Sequence, residues 1–350
     1  MNTWDLLVDR RDLQRATIAA VDLPPECADG EVLLQVEGFA LTANNVTYGR
    51  LGDQVGYWDF FPAPADLGRI PAWGHAQVVR SRAVDVPVGL RLYGYWPMST
   101  HVAAQFEKRS AGYQEVSAHR RGLPGVYNSY RVVGEPSEDD DWRALLWPLF
   151  LTAFLLDSQL AEAGITTLVL SSASAKTALA LAWLARRRRV QVIGLTSTAR
   201  AEAVRDTGLF DEVCAYAELP ERLVSNAAAA YVDVAGKPEV TSAVHAALGP
   251  ALAMSLSVGF THGLAGPGSS AAPGLEPVMF SAPAQMRRLA QAEGAAEVEA
   301  QAQAALARFV RACGWLTLRR HIGPEALLAV YDDVVSGAAH PYEGHIVQPI

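Results

Sequence analysis

The chain has 350 residues, half of them hydrophobic, with a formal net charge of −8. This length is sufficient for two domains with separate cores. The negative charge, without a long basic stripe, argues against nucleic acid as a partner. The one dense basic run, Arg186–Arg189, falls at the predicted C-terminus of a helix, where cations complement the helix dipole.

The cysteines and the apolar stretches exclude other classes of protein. Cys27, Cys214 and Cys313 lie far apart and form no metal-ligand spacing with a histidine, so no metal site is expected. Asp5 and Asp9 make the N-terminus unlike a signal peptide. No uncharged apolar stretch reaches about 18 residues, the length of a membrane span. We therefore expect a cytoplasmic protein with no membrane partner.

The chain up to about residue 120 is predicted to be rich in strands, because short alternating apolar runs are separated by turn residues. Such spacing favours a small barrel. The predicted strands are Glu31–Glu37, Ala76–Ser81 and Gly89–Tyr95. A polar connector at residues 134–142 precedes a predicted helix from Arg143 to Ala163.

The segment from Thr166 to Tyr216 has the order of a dinucleotide-binding βαβ unit. A strand at Thr167–Leu170 leads into the turn Ser171-Ser172-Ala173-Ser174-Ala175-Lys176-Thr177, followed by a helix at Ala178–Ala185 and a strand at Val190–Leu195. In such a unit, the N–H groups that open the helix face a pyrophosphate. Serines and alanines here replace the glycines of the usual G-x-G-x-x-G.

Strands and helices continue to alternate beyond Tyr216, which predicts a parallel sheet. The predicted elements are a strand at Ala230–Gly236, helices at Glu239–Leu248 and Ala284–Cys313, a strand at Ala251–Val258, a helix at Glu325–Val335 and a strand at Gly344–Val347. The fold class is therefore α/β.

This order of segments resembles the medium-chain dehydrogenase/reductase superfamily, specifically its zinc-free, quinone-oxidoreductase-like branch. The resemblance is carried by Val32–Glu37 with Ala43-Asn44-Asn45-Val46, Gly89–Gly94, Leu151-Thr152-Ala153-Phe154, Asp233-Val234-Ala235-Gly236, and Ser336-Gly337 with Glu343–Val347. The Ser-Ser-Ala-Ser-x-Lys-Thr turn further resembles a subfamily that carries it in place of the glycine-rich loop.

The resemblance implies two domains and a dinucleotide cofactor. A GroES-like β-barrel substrate domain would comprise residues 1–130 and 314–350, and a Rossmann-type doubly wound parallel-sheet domain residues 131–313. The cofactor and the substrate are expected in the cleft between the domains. A homodimer formed through the nucleotide-binding domains is also implied.

The expected cofactor is NADP(H). The predicted cofactor-binding residues are Ser171, Ser172, Ala173, Ser174, Lys176, Thr177, Thr196, Ser197, Arg200, Tyr216 and Thr261. Lys176 places a positive charge in the first turn of a helix, which is unfavourable unless an anion offsets it. No acid follows the second strand to accept a ribose 2′-hydroxyl, whereas Arg200 suits a 2′-phosphate. A Walker A loop is excluded because Leu170 and Ala175 occupy its glycine positions.

The predicted catalytic residues are Tyr48, Asn44 and His262. The resemblance implies that hydrogen bonds from Tyr, Asn or backbone N–H groups polarise the hydride acceptor, as in the zinc-free relatives. Asn44 and Tyr48 match the turn at the active-site cleft. His262 follows a strand end, where open α/β sheets hold ligands, and is a candidate proton donor. Further polar groups expected near the cleft are Tyr57, Tyr95, Tyr127 and Asn128.

Two functions from different classes remain open. The first is an NADPH-dependent, metal-independent reductase of a conjugated enone, enoyl or carbonyl small molecule. In the second, the glycine-free turn has lost dinucleotide binding, and the chain is a non-redox enzyme or a binding protein for an anionic small molecule. A scaffold protein is a weaker third option, of which a large apolar surface patch would be the sign.

Overall fold

A computed structural model of the protein describes residues 3–219, 223, 228–258 and 275–350. The chain forms two compact units. The first comprises Met1–Trp147 and Leu316–Ile350, and the second comprises Pro148–Trp315.

The described residues form strands and helices along the whole chain. The strands are β1 (Trp4–Asp9), β2 (Asp12–Ala20), β3 (Glu31–Leu41), β4 (Leu67–Gly68), β5 (Pro71–Ser81), β6 (Arg91–Pro97), β7 (His101–Arg109), β8 (Gly112–Glu115), β9 (Ser129–Val132), β10 (Thr167–Leu170), β11 (Gln191–Thr196), β12 (Glu212–Ala215), β13 (Ala229–Asp233), β14 (Leu252–Ser257), β15 (Val278–Met279), β16 (Thr317–Ile322) and β17 (Glu343–Gln348). The helices are α1 (Ala43–Arg50), α2 (Gly52–Val55), α3 (Asp139–Glu162), α4 (Lys176–Arg187), α5 (Ala201–Asp206), α6 (Pro238–Leu248), α7 (Ala282–Glu293), α8 (Ala295–Ala312) and α9 (Gly323–Ser336).

The first unit contains a closed barrel of six strands in the order β3-β5-β6-β9-β8-β7. The long strand β3 closes it, because its first half pairs with β7 while its last residues pair with β17. The parallel pair β17 and β16 extends the same sheet. Closure leaves the barrel strands without free edges.

The second unit contains a parallel sheet of six strands in the order β12-β11-β10-β13-β14-β15. The chain moves outward from β10 in one direction and from β13 in the other, so the strand order reverses between these two neighbours. This is the doubly wound arrangement, in which ligands bind at the carboxyl ends of the strands near the reversal. The predicted α/β fold, a β-barrel domain with a doubly wound parallel-sheet domain, is confirmed.

Two helical segments differ from the sequence expectation. The helix predicted over Ala284–Cys313 is two helices, α7 and α8, because Gly294 between them has a φ of +91°. That backbone conformation interrupts a helix and is accessible mainly to glycine. The turn expected around Asn44 is instead the eight-residue helix α1, which begins at a capping box formed by Thr42 and Asn45.

The apolar helix α3 is long enough to cross a membrane by length and composition, and half of its most apolar window is buried within this protein. Leu145, Phe150 and Leu156 are among its buried side chains, each at most 1% exposed. A buried core helix has the same composition as a membrane span, and the packing of α3 is that of a core helix.

A buried charge network joins three barrel strands to the start of α3. The Arg91 guanidinium donates to Glu37 at 2.6 Å and to Asp140 at 2.8 Å. His75 lies 3.6 Å from the other Asp140 oxygen and is only 4% exposed. Burial lowers the pKa of His75 to about 4, although the Asp140 carboxylate opposes this shift. His75 is therefore neutral near pH 7.

The neutral state of His75 predicts an acid-sensitive fold. A lowered pKa means that the unfolded chain binds a proton before the folded chain does. Stability conferred by neutral His75 is thus complete above pH 6.5 and is lost as the pH falls towards 4. The loss amounts to about 3 kcal/mol at most. Denaturant melts at several pH values should show a shallower pH dependence for His75→Gln than for the wild type.

The exposed His119 supplies the control for that measurement. A His119→Gln variant should keep the wild-type slope of unfolding free energy against pH. If His75→Gln and His119→Gln gave the same slope as the wild type, the acid sensitivity would not come from His75.

Candidate functional site

The turn after β10 contains a residue in the left-handed conformation but is built without glycine. Ser172 has a φ of +50°, a left-handed conformation that glycine adopts at lower cost. Two backbone bonds attach the turn to the neighbouring strands, from the Ser171 N–H to the Val232 carbonyl at 3.2 Å and from the Ala173 N–H to the Leu195 carbonyl at 3.0 Å. Ala173 itself is fully buried and packs against α5 and β12.

The Ser171 hydroxyl holds the turn to the end of β13. It donates to the Asp233 carboxylate at 2.7 Å and accepts from the N–H groups of Val234 and Ala235 at 2.9 and 3.0 Å. Asp233 also accepts from the Gly236 N–H at 3.0 Å. Both side chains are buried. Ser171 thus joins β10 to β13, where the strand order of the sheet reverses. Its hydroxyl has no hydrogen-bonding position left for a ligand.

Among the described residues, the N-cap position and the first turn of α4 contain neither a capping side chain nor an acid. The N-cap residue is Ala175, which provides no side-chain hydrogen bond, and the first turn contains no acid. The first turn carries Lys176 and Thr177 instead. Since the N-terminus of a helix bears a partial positive charge, this end of α4 favours an anion.

Side chains from three further strand ends gather beside this turn. After β11, Arg200 donates to the Ser174 hydroxyl at 3.4 Å. After β12, the Tyr216 hydroxyl accepts the Ser172 N–H at 2.8 Å. After β13, the Lys237 ammonium lies 5.4 Å from the centre of the Tyr216 ring. Arg200 and Lys237 thus bring positive charge to the carboxyl edge of the sheet.

Burial raises the pKa of Tyr216, while the bond from the Ser172 N–H and the nearby Arg200 charge lower it. The net shift is upward, so the Tyr216 hydroxyl stays protonated at neutral pH. It therefore has a hydrogen to donate to an acceptor such as a phosphate oxygen.

Of the remaining predicted cofactor residues, two lie at the end of β11 and one lies outside the described residues. Thr196 is buried at the end of β11, and Ser197 is exposed directly after it. Thr261 and the candidate catalytic His262 lie outside the residues that the structure describes. The structure brings Ser172, Ser174 and Arg200 together with Tyr216.

A second polar site lies in the first unit, on helix α1. Asn44 and Tyr48 are four residues apart and share a face of the helix. The Asn44 side-chain amide donates to the Tyr48 hydroxyl at 2.7 Å, and the indole N–H of Trp73, on β5, donates to the same oxygen at 3.2 Å. The predicted catalytic pair is therefore joined by a third residue that the sequence did not single out.

Around Tyr48 stands a tyrosine cluster, which we define as Tyr48, Tyr57, Tyr95 and Tyr127. The centres of the rings that contact one another are 4.7 to 6.2 Å apart. The hydroxyls of Tyr57 and Tyr127 lie 3.1 Å apart and share a hydrogen bond. Burial raises the pKa of all four phenols, so they are protonated at neutral pH.

Asn128 does not belong to the cluster. Its side chain accepts a hydrogen bond from Arg120 at 3.0 Å, and Arg120 also lies 3.1 Å from Glu115. The Arg120 guanidinium covers the rings of Phe60 and Phe61 at 5.0 and 4.5 Å. Asn128 therefore supports the structure behind the cluster, where all three polar side chains are buried.

Three functional candidates were not found from the sequence. Trp73 is separated from Tyr48 by 25 residues, and only the placement of β5 beside α1 reveals their contact. Lys237 follows the Asp233-Val234-Ala235-Gly236 motif, so a search for basic residues after each predicted strand would have found it. Asp233 was quoted as part of a motif, but its bond to Ser171 spans 62 residues.

Within the described residues, no group of three His, Cys, Asp or Glu side chains is placed to hold a metal ion. The hydrogen-bond donors at both sites are hydroxyls, amides and cations, which suit anions or polar organic groups.

Solved structures with the same architecture define the fold as a GroES-like barrel with a Rossmann-like sheet. CurA from Vibrio vulnificus, solved in complex with NADPH, is 14% identical, with a TM-score of 0.60 and 99% of each chain covered. CurK enoyl reductase is 14% identical, with a TM-score of 0.59 and both chains covered completely. The quinone oxidoreductase from Coxiella burnetii is 12% identical, with a TM-score of 0.58 and the same coverage.

The chain belongs to the family described as "Protein of unknown function (DUF2855)", whose sequence profile matches residues 39–340. A comparison with curated protein sequences finds no match.

The bonding of Ser171 predicts a structural role for this serine. Ser171→Ala should remove the hydroxyl that the Asp233 carboxylate and the N–H groups of Val234 and Ala235 share. The free energy of unfolding should fall by about 1–3 kcal/mol, as for other buried polar groups that lose a hydrogen bond. The unfolding transition of the second unit in denaturant measures this loss. The exposed Ser197→Ala variant should change stability by less than about 0.5 kcal/mol, and an equal effect of both variants would contradict the assignment.

Proposed function

We propose that this protein is an NADPH-dependent, metal-independent reductase of a conjugated enone, enoyl or carbonyl small molecule. The observation that carries the proposal is the cationic edge of the doubly wound sheet. There, the uncapped N-terminus of α4, Arg200 and Lys237 lie around a glycine-like turn. The similarity in fold to a protein solved with NADPH supports the same cofactor.

The residues present fit a dinucleotide carrying a 2′-phosphate. The N-terminus of α4 and Lys176 suit the pyrophosphate, because backbone N–H groups and a cation both favour negative charge there. Arg200 follows β11, at the position where an NAD-binding site carries an acid. With Ser197 next to it, Arg200 would hold the 2′-phosphate through charge-assisted hydrogen bonds. Thr196, Thr177 and Tyr216 complete the proposed cofactor site.

When bound, the reduced nicotinamide supplies a hydride. The protein's own part would be to hold the substrate and stabilise the negative charge that forms on its oxygen. Tyr48, with Asn44 beside it, is the proposed group for this role, since it is a protonated phenol held by two hydrogen bonds. His262 remains a candidate proton donor.

A metal ion is not needed for this proposal. Phenol and amide donors polarise a carbonyl group in the place of a Lewis acid. Small-molecule substrates, a cytoplasmic location and a homodimer are the corresponding expectations for partners and setting. Neither nucleic acid nor a membrane is an expected partner.

One observation favours a second function. The Ser172 N–H, which a phosphate oxygen would otherwise accept, is bonded to Tyr216. If Tyr216 stays in place, the turn offers fewer donors to a pyrophosphate than a glycine-rich loop does. The alternative is a non-redox enzyme or a binding protein, in which Lys176 and Arg200 bind a smaller anionic molecule directly.

Calorimetric titration of the purified protein with NADPH and with NADH decides between the two functions. Tight NADPH binding with weaker NADH binding supports the reductase and justifies a screen of enones, quinones and enoyl thioesters. Binding of neither dinucleotide contradicts it. In that case, a titration with inorganic phosphate tests the anion-binding alternative.

Arg200→Ala should weaken NADPH binding by roughly 10-fold to 100-fold, the effect of losing a charge-assisted hydrogen bond. NADH binding should change little, because NADH lacks the 2′-phosphate. The exposed Arg189→Ala is the matched control and should bind both dinucleotides as the wild type does. Equal weakening of both dinucleotides by Arg200→Ala would remove Arg200 from the 2′-phosphate site.

A further inference from the structure

Ser172 is the strained residue of the turn that follows β10. Its φ of +50° lies in the left-handed region, which a residue with a side chain enters at a cost that glycine does not bear. Such strain persists only where other contacts offset it. Lys176, the first residue of α4, follows only four residues later. A turn that relaxed to a negative φ would therefore redirect the N–H groups that open this helix.

Both backbone groups of Ser172 form hydrogen bonds. The Ser172 carbonyl accepts the Ala175 N–H at 2.7 Å, which is a bond within the turn. The Ser172 N–H donates to the Tyr216 hydroxyl at 2.8 Å, and these two residues are 44 positions apart in the chain. The bond to Tyr216 thus ties the left-handed residue to the segment that follows β12.

The Tyr216 hydroxyl is held in position by the surroundings of its own ring. The ring packs against the buried core of the second unit. The Lys237 ammonium lies 5.4 Å from the ring centre, within the range of a cation–π interaction. The Ala215 N–H donates to the Glu218 carboxylate at 2.8 Å, which fixes the short helical turn that carries Tyr216. Tyr216 therefore presents a fixed acceptor to the Ser172 N–H.

We propose that Tyr216 is a positioning residue that takes the place of the missing glycine. By accepting the Ser172 N–H, it stabilises the left-handed conformation of the turn. The turn then directs the first N–H groups of α4 at the phosphate groups of the cofactor, and this second step rests on the proposed reductase function. Tyr216 acts through Ser172, whereas a residue that only contacts the ligand would act independently of the conformation at position 172.

The binding test combines Tyr216→Phe, which removes only the hydroxyl, with changes at position 172. In the otherwise unchanged protein, Tyr216→Phe should weaken NADPH binding by about tenfold, the effect of losing one hydrogen bond. In a Ser172→Gly background, Tyr216→Phe should weaken it by less than about twofold, because glycine adopts the left-handed conformation unaided. Calorimetric titration of the four proteins measures both ratios.

Ser172→Ala supplies the matched control background. Alanine lacks the serine hydroxyl, as glycine does, but it resists a positive φ. In this background, Tyr216→Phe should still weaken NADPH binding by about tenfold. An equal loss in all three backgrounds would mean that Tyr216 contacts the ligand instead of positioning the turn. Tighter binding in Tyr216→Phe would mean that the hydroxyl competes with the ligand for the Ser172 N–H. Either result would overturn the inference.

Two measurements without ligand separate this inference from the proposed function. Tyr216→Phe should lower the thermal unfolding midpoint of the second unit by about 2–4 °C, and the shift should be smaller in the Ser172→Gly background. Hydrogen exchange at the Ser172 amide should become faster in Tyr216→Phe, while the amides of β10 keep their rates.

Equal midpoint shifts in both backgrounds, or an unchanged exchange rate at Ser172, would contradict the positioning role. If the shifts and rates follow the expected pattern but neither NADPH nor NADH binds, the reductase proposal fails and the role of Tyr216 in the turn stands.

Discussion

The bond between Ser171 and Asp233 is the constraint on which the candidate cofactor site depends. The strand order of the sheet reverses between β10 and β13, and this bond joins the residues that follow or end those strands, at 2.7 Å. By fixing the start of the turn, it leaves the left-handed Ser172 and the uncapped start of α4 in a defined position. This turn has no glycine and is held by side-chain hydrogen bonds. The bonds fix the direction of the N–H groups at the start of α4.

The two candidate sites share a physical principle, although their chemistry differs. At the edge of the parallel sheet, Arg200, Lys237 and the N-terminus of α4 concentrate positive charge. In the barrel unit, the tyrosine cluster concentrates neutral hydrogen-bond donors in an apolar wall. The first arrangement suits a phosphate, which keeps its charge when bound to cations. The second suits an uncharged polar group, because an ionised group would lose its hydration there without gaining a charged partner.

Local sequence patterns predicted those strands and helices whose structure depends directly on the pattern of apolar residues. The apolar run Thr167–Leu170 is β10 with the predicted bounds, since a strand buried on both faces requires continuous apolar residues. The helix around Asn44 was missed because its capping box uses Asn45 and not the usual acid, and α1 has no strong apolar face. Gly294 was visible in the sequence, but a glycine within an Ala-rich run interrupts the helix only when its φ is positive.

The sequence by itself determined the order of elements, the α/β class, and the residue types from which an anion site can be built, because each depends on periodicity or on neighbours a few residues apart. Only the tertiary structure decided which donors meet. Trp73 reaches Tyr48 across 25 residues, and Ser171 reaches Asp233 across 62. It also decided that the Ser171 hydroxyl is bonded to Asp233 and to two backbone N–H groups. Hydrogen-bond capacity is filled by whichever groups folding brings within about 3 Å, and one-dimensional spacing does not contain that information.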